Sequence, residues 1–217
     1  MKPIFAQLNP DQLKKFEISA LAGAAFLKFM LIDWLNLRAL YIVLICLFWV
    51  SYIYFRYKSN PSILARWGIQ KQNFRATFLY LLPFAIFCIA GFVIYGLAAQ
   101  TAIINWHMIP ILFAYPLWGL IQQFIVAGLV AGNLKAIRRP RFQKYQIILV
   151  TSLLFSLLHY PDGLLMLFTF IMQWFFTTAF LRWKNIWPLG LYHGIIATVL
   201  LFFAMGRDLW DELFTGF

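Results

Sequence analysis

Two adjacent amides, Gln122 and Gln123, lie inside the apolar run Trp118 to Leu129, WGLIQQFIVAGL. A polar pair at such depth is costly unless something satisfies it. Two later stretches also place polar groups in apolar surroundings: FSLLH, Phe155 to His159, followed by YPDG, and WPLGLYHGIIAT, Trp187 to Thr198, which carries His193. An amide can hold water or a carbonyl by hydrogen bonds but takes up no proton near neutrality, whereas an imidazole can do both. Asp162 is the one acid within a few residues of either histidine. Each feature also has a purely structural explanation. Membrane glutamines tie helices together, a stabilisation of about 0.6 to 2 kcal/mol, and His107, beside Trp106, reads as an interfacial or satisfied residue. His159 precedes a Pro-Asp-Gly turn, and His193 lies about two turns into its segment. Ser152 and Ser156 have no partner pattern for nucleophilic chemistry, and Cys46 and Cys88 read as small buried hydrophobes.

The elements that must position these residues follow from composition. Of 217 residues, 63% are hydrophobic and 12% charged, and the mean hydropathy is +0.78, far from soluble domains. An all-α integral membrane protein is expected. About 20 apolar residues cross the hydrocarbon core, and seven segments qualify or nearly so: 17–35, 39–55, 76–99, 106–134, 145–160, 163–182 and 186–206. Basic residues alternate between connections. Lys2, Lys14 and Lys15 precede the first segment, Arg56, Lys58, Arg66, Lys71 and Arg75 follow the second, Lys135, Arg138, Arg139, Arg141 and Lys144 follow the fourth, and Arg182 and Lys184 follow the sixth. The other connections hold only Arg38 and Arg207, together with Asp162, Asp208, Asp211 and Glu212. The positive-inside rule then predicts a bundle of about seven transmembrane helices with a cytoplasmic amino terminus. The net charge of +11 is thereby read as topology and contact with membrane lipid, not nucleic acid.

Tyr52, Tyr54 and Tyr57, and Trp183 and Trp187, mark predicted boundaries. The first segment contains Lys28 and ends near Asp33, so an interfacial helix is an alternative there; five apart, the two are not expected to share a helix face. Gly128 and Gly132 form a small-xxx-small pattern that lets a neighbour approach. A short surface helix is expected near Ser62 to Trp67. No cleaved signal peptide and no internal repeat is expected, and 1–217 reads as a single membrane domain, with amino-terminal spans in 1–105 and a core in 106–206.

The three polar clusters, in this order, resemble the CPBP family of intramembrane proteases, the CAAX-processing enzymes and bacteriocin-processing or immunity proteins. That family carries Glu-Glu-x-x-x-Arg on one span, Phe-x-x-x-His on the next and His-x-x-x-Asn or Asp on a later one. Here the motifs read QQFIVAG, FSLLH and HGIIA, and NIWPLGLYHG is similar to the family's approach to its last histidine. The resemblance covers about residues 106–200. It implies that the first glutamate acts as general base, that the histidines and asparagine orient water or stabilise the oxyanion, and that a metal role is open.

The departures fall on the chemistry. Gln122 and Gln123 stand where the resemblance implies the glutamates, Ala127 at the arginine and Ala197 at the asparagine; His159 and His193 remain. Loss of a general base typically removes about 10²- to 10⁴-fold, and loss of an oxyanion donor about 10²- to 10³-fold. Zinc, which the resemblance leaves open, normally takes three protein ligands, and two histidines with neutral amides fall short; no cofactor is expected. The only glutamates, Glu17 and Glu212, are not near the cluster in sequence. The expectation is a polar intramembrane cavity whose motif positions are Gln122, Gln123, His159 and His193, with Phe155, Trp118, Asp162 and Ala197 as substrate contacts. It would bind a hydrophobic or prenylated peptide or a membrane protein partner, with peptidase activity weak or lost. The alternatives are an active endopeptidase using Asp162 or water as base, and a membrane scaffold or transporter subunit. The expected location is a bacterial cytoplasmic membrane.

Overall fold

The computed structural model describes residues 10–137 and 142–214. Lys2, Arg138, Arg139 and Arg141, and the side chain of Lys15, lie outside what is described. Ten α-helices follow in order among the described residues: α1 (Pro10–Lys28), α2 (Arg38–Ser59), α3 (Ile63–Arg66), α4 (Phe74–Ala98), α5 (Met108–Gln123), α6 (Gly132–Ala136), α7 (Lys144–Leu157), α8 (Gly163–Trp183), α9 (Trp187–Val199) and α10 (Leu209–Phe214). Three stretches widen to π-helical turns: Phe29–Trp34 after α1, Phe124–Ala131 between α5 and α6, and Leu200–Ala204 after α9.

Each of the seven expected segments coincides with a helical run. Five are long and apolar enough to cross a membrane: 38–59, 74–98, 108–136, 163–183 and 187–204. α7, at 14 residues, is shorter, and the charged α1 is not among the five. α1 nevertheless runs the height of the bundle. In its first half, buried Glu17 accepts from Tyr52 Oη (2.6 Å), Arg56 (3.4 Å) and Asn133 Nδ2 (2.7 Å); its last residue, Lys28, donates to the Tyr160 carbonyl at the opposite end of the bundle. Tyr52 is therefore a core residue, not a boundary anchor.

Lys28 and Asp33 pair at 2.6 Å, contrary to the expectation from α-helical spacing. The cause is the π-helical turn over 29–34, whose i→i+5 ladder brings residues five apart into line. α3 forms where a surface helix is expected: Ser62, Ala65 and Arg66 are exposed, and Ile63 and the following Trp67 are buried and anchor its inner face.

Connections gather at two ends. At one, the segment 66–73 covers the turn 183–187: Asn185 Nδ2 donates to the carbonyls of Gln70 and Gln72, Gln70 Nε2 to Lys184 O, and Ile186 N to Gly68 O. At the other, Thr101 Oγ1 donates to Phe203 O, and His107 Nδ1 lies 2.8 Å from Asp208 Oδ2. His107 is thus a satisfied end residue, as its sequence context predicts.

The most extensive helix contact is between α5 and α9, where glycines meet backbone. A Cβ at Gly119 would come 2.6 Å from Gly190 O, and one at Gly194 would strike Pro116 N. The glycine pattern expected to admit a neighbour behaves differently: Gly128 faces the Trp67 carbonyl, where a Cβ would be at 3.2 Å, and Gly132 opens on space.

Candidate functional site

The close α5–α9 crossing sets Gln122 and Gln123, at the end of α5, against His193, in the middle of α9. Both helices widen to π-helical turns within a few residues of the motif, at Phe124 and at Leu200, a local geometry frequent at functional sites. His159 arrives from the short turn between α7 and α8. Counting residues along α7 and α9 would separate the two histidines in depth. They meet because α9 starts beneath the 66–73 segment, with Asn185 and Ile186 buried.

Phe155 joins them. Its fully buried ring makes edge contacts with both imidazoles, at 4.8 Å to His159 and 5.6 Å to His193 between ring centroids. It stands behind the histidines and does not line the cavity they face.

That cavity, about 260 Å³, is lined by Gln122, His159, His193, Trp118, Ala197 and Asp162 among others. Trp118 is steadied by Tyr41, ring to ring at 6.1 Å, and Tyr41 Oη donates to Ala24 O. Apolar walls come from Ile42, Leu165, Phe168, Met172, Leu200 and Leu201, and a charged rim from Lys28, Asp33, Arg38 and Arg207.

Gln123 is buried behind the cavity. Its Nε2 is 3.0 Å from Gln173 Oε1 and 3.2 Å from His193 Nδ1. Gln173 donates through its own Nε2 to Thr177 Oγ1 (3.0 Å), so it presents its oxygen to Gln123, and both Gln123 amide hydrogens are used. His193 Nδ1 then accepts, and the neutral ring carries its hydrogen on Nε2. His159 is opposite: its Nδ1 lies 2.9 Å from the Phe155 carbonyl, which only accepts, so the hydrogen is on Nδ1 and Nε2 is a free acceptor. These tautomers follow from the hydrogen-bond network. The cavity thus meets one imidazole donor, one imidazole acceptor and the Gln122 amide, whose Oε1 is buried without a partner.

Asp162 is occupied. Its Oδ1 accepts from Leu165 N at 3.0 Å, capping α8, and its Oδ2 lies 3.7 Å from Arg207. Glu212, distant from the motifs in sequence, reaches the cavity's rim because the chain turns back after α9. Arg207 grips it bidentately at 2.7 and 2.8 Å, and Arg38 is 3.1 Å away. The hydrogen bond to Glu212 raises the Arg207 pKa above its ordinary value despite burial. Glu17 stays at the far end of the bundle.

A catalytic zinc does not fit. The cavity offers two histidines, of which His193 carries its hydrogen on the cavity-facing Nε2, and two carboxylates, one paired with Lys28 and one capping a helix; among the described residues no three of them converge. Among the described residues, the grouping of three metal-capable side chains within 4.8 Å is His107, Asp208 and Asp211, which do not line this cavity. Of the nucleophile candidates, Ser156 Oγ donates to Met166 O at 2.7 Å, and Cys88 is buried in the core.

Sequence reasoning did not single out Gln173, although its signal, an amide in the apolar run FIMQWFF, is the one that drew notice at Gln122. Arg38, Arg207 and Glu212 carried no motif. Residues 103–199 match the family model for type II CAAX prenyl endopeptidases, Rce1-like, in agreement with the resemblance drawn from the three motifs. Comparisons with curated proteins and with solved structures find no match.

Proposed function

We propose, from the premise that residues 103–199 carry the pattern of the Rce1-like CAAX prenyl endopeptidases, that this integral membrane protein uses its cavity to bind an apolar peptide or prenylated chain without hydrolysing it. The observation that carries this reading is the amide relay Gln173–Gln123–His193. Gln122, where the resemblance implies the general base, is an amide with no basicity near neutrality, and behind it the buried Gln123 spends both amide hydrogens on Gln173 and His193. Ala197 supplies no oxyanion donor, and Asp162 is held as a helix cap and by Arg207. A reaction that needs the two absent contributions slows by factors of about 10² to 10⁴ and about 10² to 10³.

What remains suits recognition. His193 Nε2–H is a donor for a carbonyl, His159 Nε2 and Gln122 are acceptors for an amide N–H, and the apolar walls receive an aliphatic or aromatic chain. Lipid-embedded recognition of this kind belongs in a bacterial cytoplasmic membrane with the amino terminus inside, the placement that the basic connections favour.

The test uses the purified full-length protein in lipid nanodiscs with a fluorescent farnesylated peptide. Saturable binding is expected, weakened about tenfold or more by Ala197→Phe, which fills the cavity, with no cleavage above buffer. Cleavage by wild type that is lost in both His159→Ala and Asp162→Asn would overturn the reading and assign Asp162 the base's role.

A further inference from the structure

At the end of the bundle that holds the 66–73 and 183–187 segments lies a second pocket of about 170 Å³, lined by Arg66, Lys135 and Lys184 beside Gly132, Phe180 and Leu181. The cations come from three separate elements, and each backbone is fixed. Arg66 closes α3, anchored by buried Ile63 and Trp67. Lys135 stands on α6 and donates to Leu181 O at 3.2 Å. Lys184 caps α8 in the left-handed region, φ +48°, with its carbonyl accepting from Gln70 Nε2 at 2.7 Å. Among the described residues no carboxylate lines the pocket, and none of the ion pairs includes any of the three.

Three like charges around one concavity repel one another, and the repulsion is relieved by an anion with several acceptor oxygens. A phosphate matches this arrangement, since a guanidinium can engage two of its oxygens while ammonium groups neutralise the charge. The surroundings add a direction. Arg182 lies over the Trp183 ring at 4.6 Å and Tyr80 packs on that ring, the mixture of aromatic and basic side chains found at a membrane boundary. Gly132 keeps the pocket open: a Cβ there would meet nothing nearer than Ala127 O at 3.8 Å.

We propose that Arg66, Lys135 and Lys184 form a binding site for a phosphate-bearing anion. Basic pockets between membrane helices take phospholipid headgroups, so the site's position makes an anionic phospholipid the first source to test, with free phosphate the other.

The experiment compares wild type, the triple variant Arg66→Gln, Lys135→Gln, Lys184→Gln, and Gly132→Leu, which fills the pocket and leaves every charge in place. Delipidated full-length protein is titrated with phosphatidylglycerol, with phosphatidylcholine and with inorganic phosphate, reading thermal stability and bound lipid by native mass spectrometry. For wild type, one tightly retained phosphatidylglycerol is expected, with an apparent affinity at least tenfold above that for phosphatidylcholine and falling with salt. Both variants should lose that preference at least tenfold. A response to inorganic phosphate equal to that for phosphatidylglycerol, lost in both variants, supports the same site with soluble phosphate as its source. Equal binding of both lipids by wild type, or an unchanged preference in both variants, overturns the proposal. Because Gly132→Leu alters no charge, loss in the triple variant alone reports general surface attraction and overturns it as well.

Discussion

Where the hydrogen sits on each imidazole sets what the cavity offers a ligand. His193 accepts from Gln123 at Nδ1, and His159 donates to the Phe155 carbonyl, so ¹⁵N spectra of ring-labelled protein should show His193 protonated at Nε2 and His159 at Nδ1. Finding both rings in one tautomer would contradict the relay. Replacing Gln123 by Leu strands two buried acceptors, His193 Nδ1 and Gln173 Oε1, at about 1 to 3 kcal/mol for each. A fall in melting temperature of several degrees is expected, together with a shift of the His193 ring signals and no shift at His159. Gln122→Leu, whose oxygen has no partner to lose, should leave stability within about 1 kcal/mol of wild type and weaken peptide binding.

At the scale of elements, the site exists because α5 and α9 touch through glycine. Gly194→Ala drives a methyl into the Pro116 backbone, and Gly190→Ala drives one into Leu120; neither helix can retreat without moving Gln123 from His193. Each should cost about 1 to 3 kcal/mol as overpacking and reduce ligand binding in parallel. Gly91→Ala, with nothing within 4 Å of the added methyl, should instead be neutral or stabilising by up to about 1 kcal/mol through helix propensity. Equal effects of Gly91→Ala and Gly194→Ala in thermal denaturation would sink the argument. The helices themselves were legible from apolar length, and the motif clusters from isolated polar residues. The decisive contact was not read from the sequence: the pattern singled out there was Gly128 and Gly132, and Gly190 and Gly194, which make the contact, look the same until the partner backbone is known. The π-helical turns have no such signature: nothing in FMLIDW distinguishes a five-residue ladder from a four-residue one, which is why the Lys28–Asp33 pair was unforeseen.

For the whole molecule, connections alternate between two ends as the basic residues imply, and α1 runs from the Glu17 cluster to Tyr160 along the outside of the core. The cytoplasmic assignment of the basic end is tested by cysteine labelling in intact cells. Ile104→Cys should react with a membrane-impermeant maleimide from outside, and Lys71→Cys only after lysis; the reverse would invert the topology. Sites at Phe217 and Arg139, the ends that charge alone would suggest, lie outside the described residues. The rim was not legible, because Arg38, Arg207 and Glu212 are brought together only by the return of the chain after α9. Their ion pairs strap α10 beside the cavity, so Glu212→Gln should speed peptide association more than dissociation in stopped-flow measurements. The neutrality of Gln122 and Gln123 bears finally on biogenesis. An acidic side chain at the centre of an inserting helix adds about 2.5 to 3.5 kcal/mol to its transfer into the bilayer, and residues 108–136 emerge from the ribosome before His159, Gln173 and His193 exist to receive them. With amides there, this segment can partition into lipid on its own as it is made, so its membrane integration should proceed without the rest of the bundle, whereas the Gln122→Glu, Gln123→Glu chain should wait for its later helices.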